Sequence, residues 1–243
     1  MRANSPLASG LRLLLLVALC ALALQLAFAA RVALMIVLDP QSTSFQRSEA
    51  WRLLKTQGTG AGWAQQWVPE DRLAAALRRA VIASEDAGFT DHSGIDREAL
   101  ERAWARNQAA QARAERRNAT ARLVGGSTIT QQLAKNLFLS GERTVVRKAQ
   151  EAVIALLLEA LLGKQRILEI YLNSVEWGEG VFGAEAAARH YFGTGAERLS
   201  AWQAARLAVM LPAPKRFERR PDSPFLMARA ATVAARMGDV RLP

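Results

Sequence analysis

Three groups of residues in this 243-residue chain have types and spacings suited to chemistry. The first is Glu85-Asp86-x-x-Phe89-x-x-His92-x-Gly94-x-Asp96. Adjacent carboxyls beside an aromatic ring can acquire unequal acidities, so that one works as a base while its neighbour holds charge or structure. A bare Glu-Asp pair is more often solvated or a helix cap, and a lone His92 is more often a structural hydrogen-bonder. His190 is the only other histidine, so no metal site follows from His92.

The second group is Gly125-Gly126-Ser127-Thr128-Ile129-Thr130-Gln131-Gln132-Leu133-Ala134-Lys135-Asn136. Glycines and hydroxyls ahead of a helix leave backbone N–H groups free for anionic oxygens. Lys135, Arg143, Arg147 and Lys148 follow as cations for a phosphate. The run is neither a P-loop, lacking Gly-Lys-Ser/Thr, nor the Gly-x-Ser-x-Gly elbow of a serine hydrolase. Its Gln-Gln-Leu-Ala rhythm also matches a DNA-binding helix-turn-helix in a basic chain, although Phe138 stands where the turn glycine is usual. The third group is Arg147-Lys148-x-x-Glu151. Arg147 and Glu151 share a helix face, and the plain reading is a modest ion pair. The helix is otherwise apolar, however, and a charged cluster on such a helix suits a cleft lining.

The elements that must position these groups follow from the apolar pattern. Residues 13–30 form an uncharged run of 18 residues, in which only Gln25 is strongly polar. As a helix it spans about 27 Å, close to the hydrocarbon thickness of a bilayer. The apolar pattern continues to residue 38, with Arg31 expected to snorkel toward the interface. Arg2 and Arg12 precede the run and no acidic residue comes before Asp39, so the short tail 1–12 is expected on the cytoplasmic side and the rest across the membrane. A cleavable signal peptide, cut after Ala27-Phe28-Ala29, is the competing reading; the continuing apolar run favours an anchor over 13–38. Either way the body is exported. The single cysteine, Cys20, lies inside the run, which excludes a disulfide framework and redox chemistry in the exported part.

Residues 39–66 read as a connector with Gly58, Gly60 and Gly62, whose tryptophans Trp51 and Trp63, with Trp67 beyond, suit either a membrane interface or packing beneath the main domain. From 67 to 243 the pattern is helical, with helices predicted at 71–84, 131–139, 145–162, around 167–172, 184–191 and 201–210. No strand-and-hairpin series appears, so the fold class is mainly α. The stretch 97–122 carries six arginines beyond Arg97 against Glu98, Glu101 and Glu115, and reads first as a solvated helix or excursion, second as a contact for substrate or lipid. Charge alone is ambiguous: 32 Lys and Arg against 22 Asp and Glu suit nucleic acid, a membrane surface or an anionic substrate. Export removes nucleic acid from the partners.

Taken together and in this order, the segments resemble the glycosyltransferase family 51 domain of peptidoglycan synthases. The resemblance rests on 85–96, 125–136, 147–151 and Ile167-Leu168-Glu169-x-Tyr171-Leu172-Asn173, with weaker matches at 182–192 and 211–217, and covers roughly 67–217. The chain carries no Ser-x-x-Lys, Ser-Asp-Asn or Lys-Thr-Gly of a penicillin-binding transpeptidase, so it is most similar to the monofunctional members. The resemblance implies a lysozyme-like helical lobe with a small membrane-proximal jaw, and polymerisation of lipid II into β-1,4-linked glycan strands with release of undecaprenyl diphosphate and inversion. It implies Glu85 as general base and Glu151 as a second important carboxylate. Lys135 and Arg143 are implied on the diphosphate, and Ser127, Gln131, Gln132, Asn136, Arg147 and Lys148 on substrate. Asp86, Phe89, His92, Gly94 and Asp96 are support. No cofactor is required, though a divalent ion, Mg or Mn, is compatible with the diphosphate. The implied partners are lipid II, the growing strand, membrane lipids and other cell-wall synthesis or division proteins, at a bacterial inner membrane with the catalytic domain periplasmic. Two alternatives stay open: a lytic transglycosylase or lysozyme-like enzyme that cleaves glycan, and a membrane-anchored nucleic-acid-binding protein.

Overall fold

The structure is a computed structural model that describes residues 6–60, 62–116, 119–121, 125–142 and 144–243. It is mainly α-helical. Helix α1 (Pro6–Leu34) contains a stretch, Ser9–Leu34, long and apolar enough to cross a membrane. Its C-terminal end does not hang free. The side-chain amides of Gln25 and of Gln150, on helix α6 (Val145–Leu161), exchange two hydrogen bonds of 2.8 and 3.1 Å. Phe28 meets Phe138 edge-on at 5.3 Å, and Val32 and Met35 are buried in the main core. The Arg31 guanidinium lies 5.3 Å from the Phe138 ring centre. Arg166 then gathers the carbonyls of Met35 and Leu38, satisfying acceptors that a helix end leaves open.

The connector holds more structure than its glycines suggest. Helix α2 (Ser44–Gln57) starts with a capping box in which Thr43 and Gln46 satisfy each other's backbone N–H, and Leu53 is buried. Its Glu49 pairs with Lys215 and Arg52, and Arg52 also reaches Glu179 at 2.7 Å, so ion pairs lace α2 to the body. Sequence reading missed α2 because its apolar face is only a few residues wide. Trp63 stacks on Phe182 at 4.6 Å and Trp67 packs against the core, whereas Trp51 stays exposed. Strand β1 (Ala64–Gln65) runs parallel to β3 (Val181–Phe182), which pairs antiparallel with β2 (Glu176–Gly178). This small sheet was not anticipated, since two- and three-residue strands carry no readable alternation.

The body packs α3 (Ala75–Glu85) against α9 (Ala201–Ala208) and α11 (Pro224–Arg236), and α5 (Ile129–Phe138) against α6 and α7 (Lys164–Ser174). Helix α8 (Ala184–Phe192) joins the core through five buried residues in its first turns, and α10 (Pro214–Phe217) is a single turn beside β2. The predicted helix at 71–84 begins later, because Glu70–Arg72 forms a separate 3-10 turn. Helix α11 was not foreseen; its buried Leu226, Ala230 and Val233 repeat at four and three residues, but only Ala230 and its alanine neighbours separate them from arginines. Helix α4 (Arg97–Glu115) matches the solvated-helix reading, with Ala103 its one buried residue.

Two predictions follow from these contacts. A buried amide left without its partner costs more than a pair replaced by apolar groups. Gln25→Leu and Gln150→Leu should each destabilise by about 1 kcal/mol, while the double variant recovers most of that loss, as read by a double-mutant cycle of unfolding in detergent. The second concerns Glu176, buried beside Glu49 and 3.3 Å from Lys215. Burial pushes its carboxyl up to about 7 from 4.5, with Lys215 opposing. The folded state therefore holds that proton more tightly than the unfolded chain. Its contribution to stability is complete below pH 4.5 and is lost as pH rises to about 7. Glu176→Gln should flatten the corresponding fall in Tm across that window.

Candidate active site

The end of α3 and the start of α5 converge on one cleft. Its volume is 470 Å³, and its walls include Glu85, Asp86, Ser127, Thr128, Arg106 and Arg229. Leu77 and Val81, four apart, bury one face of α3, which brings its last residue, Glu85, to the cleft. The Gln132 amide donates to Glu85 Oε2 at 3.0 Å, and Tyr171 Oη donates to Gln132 Oε1 at 3.0 Å. Burial raises the Glu85 carboxyl above its ordinary value; the Gln132 bond and the field of Arg229 pull the other way. This is the environment of a base made stronger by lost water yet still steered.

Asp86 has a different occupation. One carboxylate oxygen accepts the Ile129 backbone N–H at 3.0 Å, and the other lies 2.9 Å from His92 Nε2. His92 Nδ1 accepts the Gly94 N–H at 3.1 Å, so the ring proton belongs on Nε2, facing Asp86. Gly94 sits at φ +87°, and a Cβ there would come 2.9 Å from Glu159 Cγ. Its carbonyl accepts from Thr128 Oγ1 at 2.6 Å. Phe89 is buried with Lys164 Nζ 4.5 Å over its ring. Asp96 accepts the Ala99 N–H at 2.7 Å and caps α4. The first motif thus brings Glu85, Asp86 and Asp96 to the cleft wall, and Asp86 and Asp96 also hold the loop through their hydrogen bonds.

In the second motif Thr128 is the N-cap of α5, and Gln131 closes its capping box. Gln131 and Gln132, both expected on sugar or phosphate, have partners inside the protein: the Thr128 N–H for the former, Glu85 and Tyr171 for the latter. Ser127 accepts from Lys148 Nζ at 3.1 Å, and Asn136 is largely buried one turn along. Lys135 is half-buried with no direct partner among the described residues; burial lowers its pKa, while the nearby Glu151 charge raises it. On α6, Glu151 occupies the core-facing stripe with Ile154, Ala155 and Leu158. It accepts from Arg147 Nη1 at 2.6 Å and from Lys148. A carboxylate buried there is compensated by two cations, and the three form one unit beside Lys135. Arg143, the other cation expected on the diphosphate, lies outside the described residues.

Charges therefore fall into two neighbourhoods. Lys135 feels Glu151, Arg147 and Lys148, whereas Glu85 feels Arg229 and Asp86. Arg229, brought by α11, is a residue that sequence reading missed. It belongs to no motif, and only the packing of α11 on α3 places it near Glu85. Among the described residues no three His, Cys, Asp or Glu side chains gather into a metal-binding group.

Residues 53–238, which contain every group just described, match the family profile described as "Transglycosylase". The chain belongs to the transglycosylase family. A Burkholderia thailandensis protein named biosynthetic peptidoglycan transglycosylase is 53% identical over 223 residues, covering 91% of this chain and 83% of that relative. Proteins of the same name from Paraburkholderia xenovorans and Burkholderia orbicola are 49% and 51% identical, covering 93% and 91% of this chain and 90% and 86% of theirs. The transglycosylase match begins at Leu53 inside α2, so the last residues of this helix belong to the matched region even though they read as a connector.

Removing Asp86 would leave two buried donors without an acceptor, whereas removing Asp96 costs only a cap. Asp86→Ala should destabilise this transglycosylase by about 2–4 kcal/mol and Asp96→Ala by about 1 kcal/mol, measured by denaturant unfolding in detergent.

Proposed function

We propose that this chain polymerises lipid II into β-1,4-linked glycan, with Glu85 as the general base. The observation that carries the reading is a half-buried carboxyl in a cleft, aimed by Gln132, with its acidity lowered by lost water. Glu85 takes the proton from the 4-hydroxyl of the acceptor sugar. The freed oxygen forms a bond to the anomeric carbon of the donor strand. The bond from that carbon to undecaprenyl diphosphate breaks on the opposite face, with inversion. Negative charge grows on the departing diphosphate, so fixed cations in a site shielded from water stabilise the transition state more than the ground state. Lys135, which has no direct partner among the described residues, is the cation available for that oxygen. Arg147 and Lys148, already held by Glu151, set the surrounding potential, and Glu151 acts as their positioning residue. Ser127 presents its hydroxyl beside Lys148, and Arg143 completes the group in this reading. A divalent ion, where it assists, comes with the diphosphate as its counter-ion, since Asp86 and Asp96 are committed to hydrogen bonds in the loop.

A glycan-cleaving enzyme would need the carboxyl but not the cation group, which is why synthesis is favoured over lysis. Membership of a family whose relatives are named biosynthetic peptidoglycan transglycosylases supports the same direction. We place α1 across the inner membrane with Arg2 and Arg12 cytoplasmic and the body periplasmic. The docking of Gln25 and Phe28 on the body supports a retained anchor rather than a cleaved leader.

Glu85→Gln should lower polymerisation of labelled lipid II by at least about 100-fold. Lys135→Ala should lower it by about 100–1,000-fold. Polymer is recognised by its digestion with muramidase, and turnover of finished glycan by the wild type would point to lysis instead. Because Glu85 must be ionised, the acid limb of kcat/KM should lie above 4.5, its ordinary value. The Gln132 bond lowers the Glu85 pKa, so Gln132→Leu should move that limb to higher pH.

A further inference from the structure

Helix α4 presents an unusual stripe to the cleft. Ala99, Arg102 and Arg106 line it, and with Ala103 they recur at the three- and four-residue spacing of one helix face. Such a face is ordinarily apolar where a helix covers a body. Here it alternates small residue and arginine. The alanines bring the helix down on the second motif: a Cβ on Gly126 would lie 3.1 Å from Ala103 Cβ and 3.3 Å from Leu100 Cα. Close seating of α4 against Gly126 carries the two guanidinium groups into the cleft that holds Glu85 and Ser127.

Two arginines four apart on one face repel and weaken the helix. Arg102 is partly compensated by Glu98 at 3.1 Å and Asp96 at 3.7 Å, but Glu98 is 84% exposed, and such a pair exchanges readily for another anion. Arg106 makes no ion pair among the described residues. An oxyanion lying between the two arginines would relieve the repulsion and give Arg106 the partner it lacks. These cations stand on a different element from the α5–α6 group around Lys135, which does not line the cleft and meets it through the Lys148–Ser127 hydrogen bond.

We propose that Arg102 and Arg106 form an oxyanion site on the α4 wall that holds the acceptor substrate while Glu85 acts on its hydroxyl. This rests on the polymerase reading above, in which the donor diphosphate meets the α5–α6 cations. The oxyanion is a diphosphate oxygen or a stem-peptide carboxylate of lipid II; both offer the bidentate geometry a guanidinium prefers. Glutamine is a good helix former, so replacing the arginines with it keeps α4 while removing the charge.

The test is steady-state polymerisation by the full-length chain in phosphatidylcholine vesicles, comparing wild type, Arg102→Gln/Arg106→Gln and Arg102→Lys/Arg106→Lys. The expected result for the glutamine variant is KM for lipid II raised about tenfold with kcat within about twofold. The lysine variant should recover part of the loss, and Arg113→Gln on the same helix should match wild type. Lipid II with amidated stem carboxylates separates the sources. If amidation erases the difference between wild type and variant, the ligand is a carboxylate; if the difference persists, it is the diphosphate. An unchanged KM in the glutamine variant overturns the site, as does an equal loss in Arg113→Gln. A defect that appears only when phosphatidylglycerol is added also overturns it, because α4 would then be binding lipid. A wild type that makes no polymer would instead overturn the functional reading itself.

Discussion

The carboxylate of Asp86 is the tie on which the site depends. It accepts the first N–H of α5 and the ring proton of His92, and so joins the end of α3, the loop behind it and the start of the next motif. Each of those pieces carries something the chemistry needs. Glu85 is the preceding residue on α3, and α5 carries Gln132, which steers Glu85, and Lys135. Without an acceptor at 86, two buried donors would lose their partners together, and the relative placement of base and cation would loosen with them. Gly94 belongs to the same tie, since its positive φ lets the loop turn back so that its N–H meets His92 and its carbonyl meets Thr128.

Adjacent residues of the same chemical type thus have opposite environments. Asp86 is tied to the Ile129 N–H and to His92, whereas Glu85 has one firm donor, Gln132, and a carboxyl raised by burial. That contrast distinguishes a structural carboxylate from a candidate base more sharply than residue type can. The same logic separates the cations. Arg147 and Lys148 both bond to Glu151, and Lys135 nearby is not bonded to any described side chain. A half-buried ammonium without a direct partner is costly to maintain, which is the expected signature of a binding group.

The anchor is part of this arrangement rather than a tether beside it. Gln25 holds Gln150, next to Glu151 on α6, and Phe28 and Arg31 hold Phe138 at the end of α5. The two helices that bear the cation group are therefore the two that α1 grips. Ion pairs through α2, from Glu49 and Arg52 to Lys215 and Glu179, reinforce the link from the other side.

The family, the helical class and the membrane-length helix were legible in the sequence. Ordered motifs and helical periodicity are local properties, preserved in one dimension. The sequence could not say which polar side chains face the cleft. Gln132 and Asp86 sit inside motifs that read as substrate contacts or support, yet their partners are distant side-chain and backbone groups, while Gln131 closes a local capping box. Nor could it find α2 or α11, whose apolar faces are narrow and interleaved with charge, or place Arg229 beside Glu85. Those outcomes depend on which elements pack together, and burial, hydrogen bonding and the fields around a charge are properties of that packing. The motifs alone named the groups available; the tertiary contacts decided which are bonded within the protein and which, like Lys135, have no direct partner among the described residues.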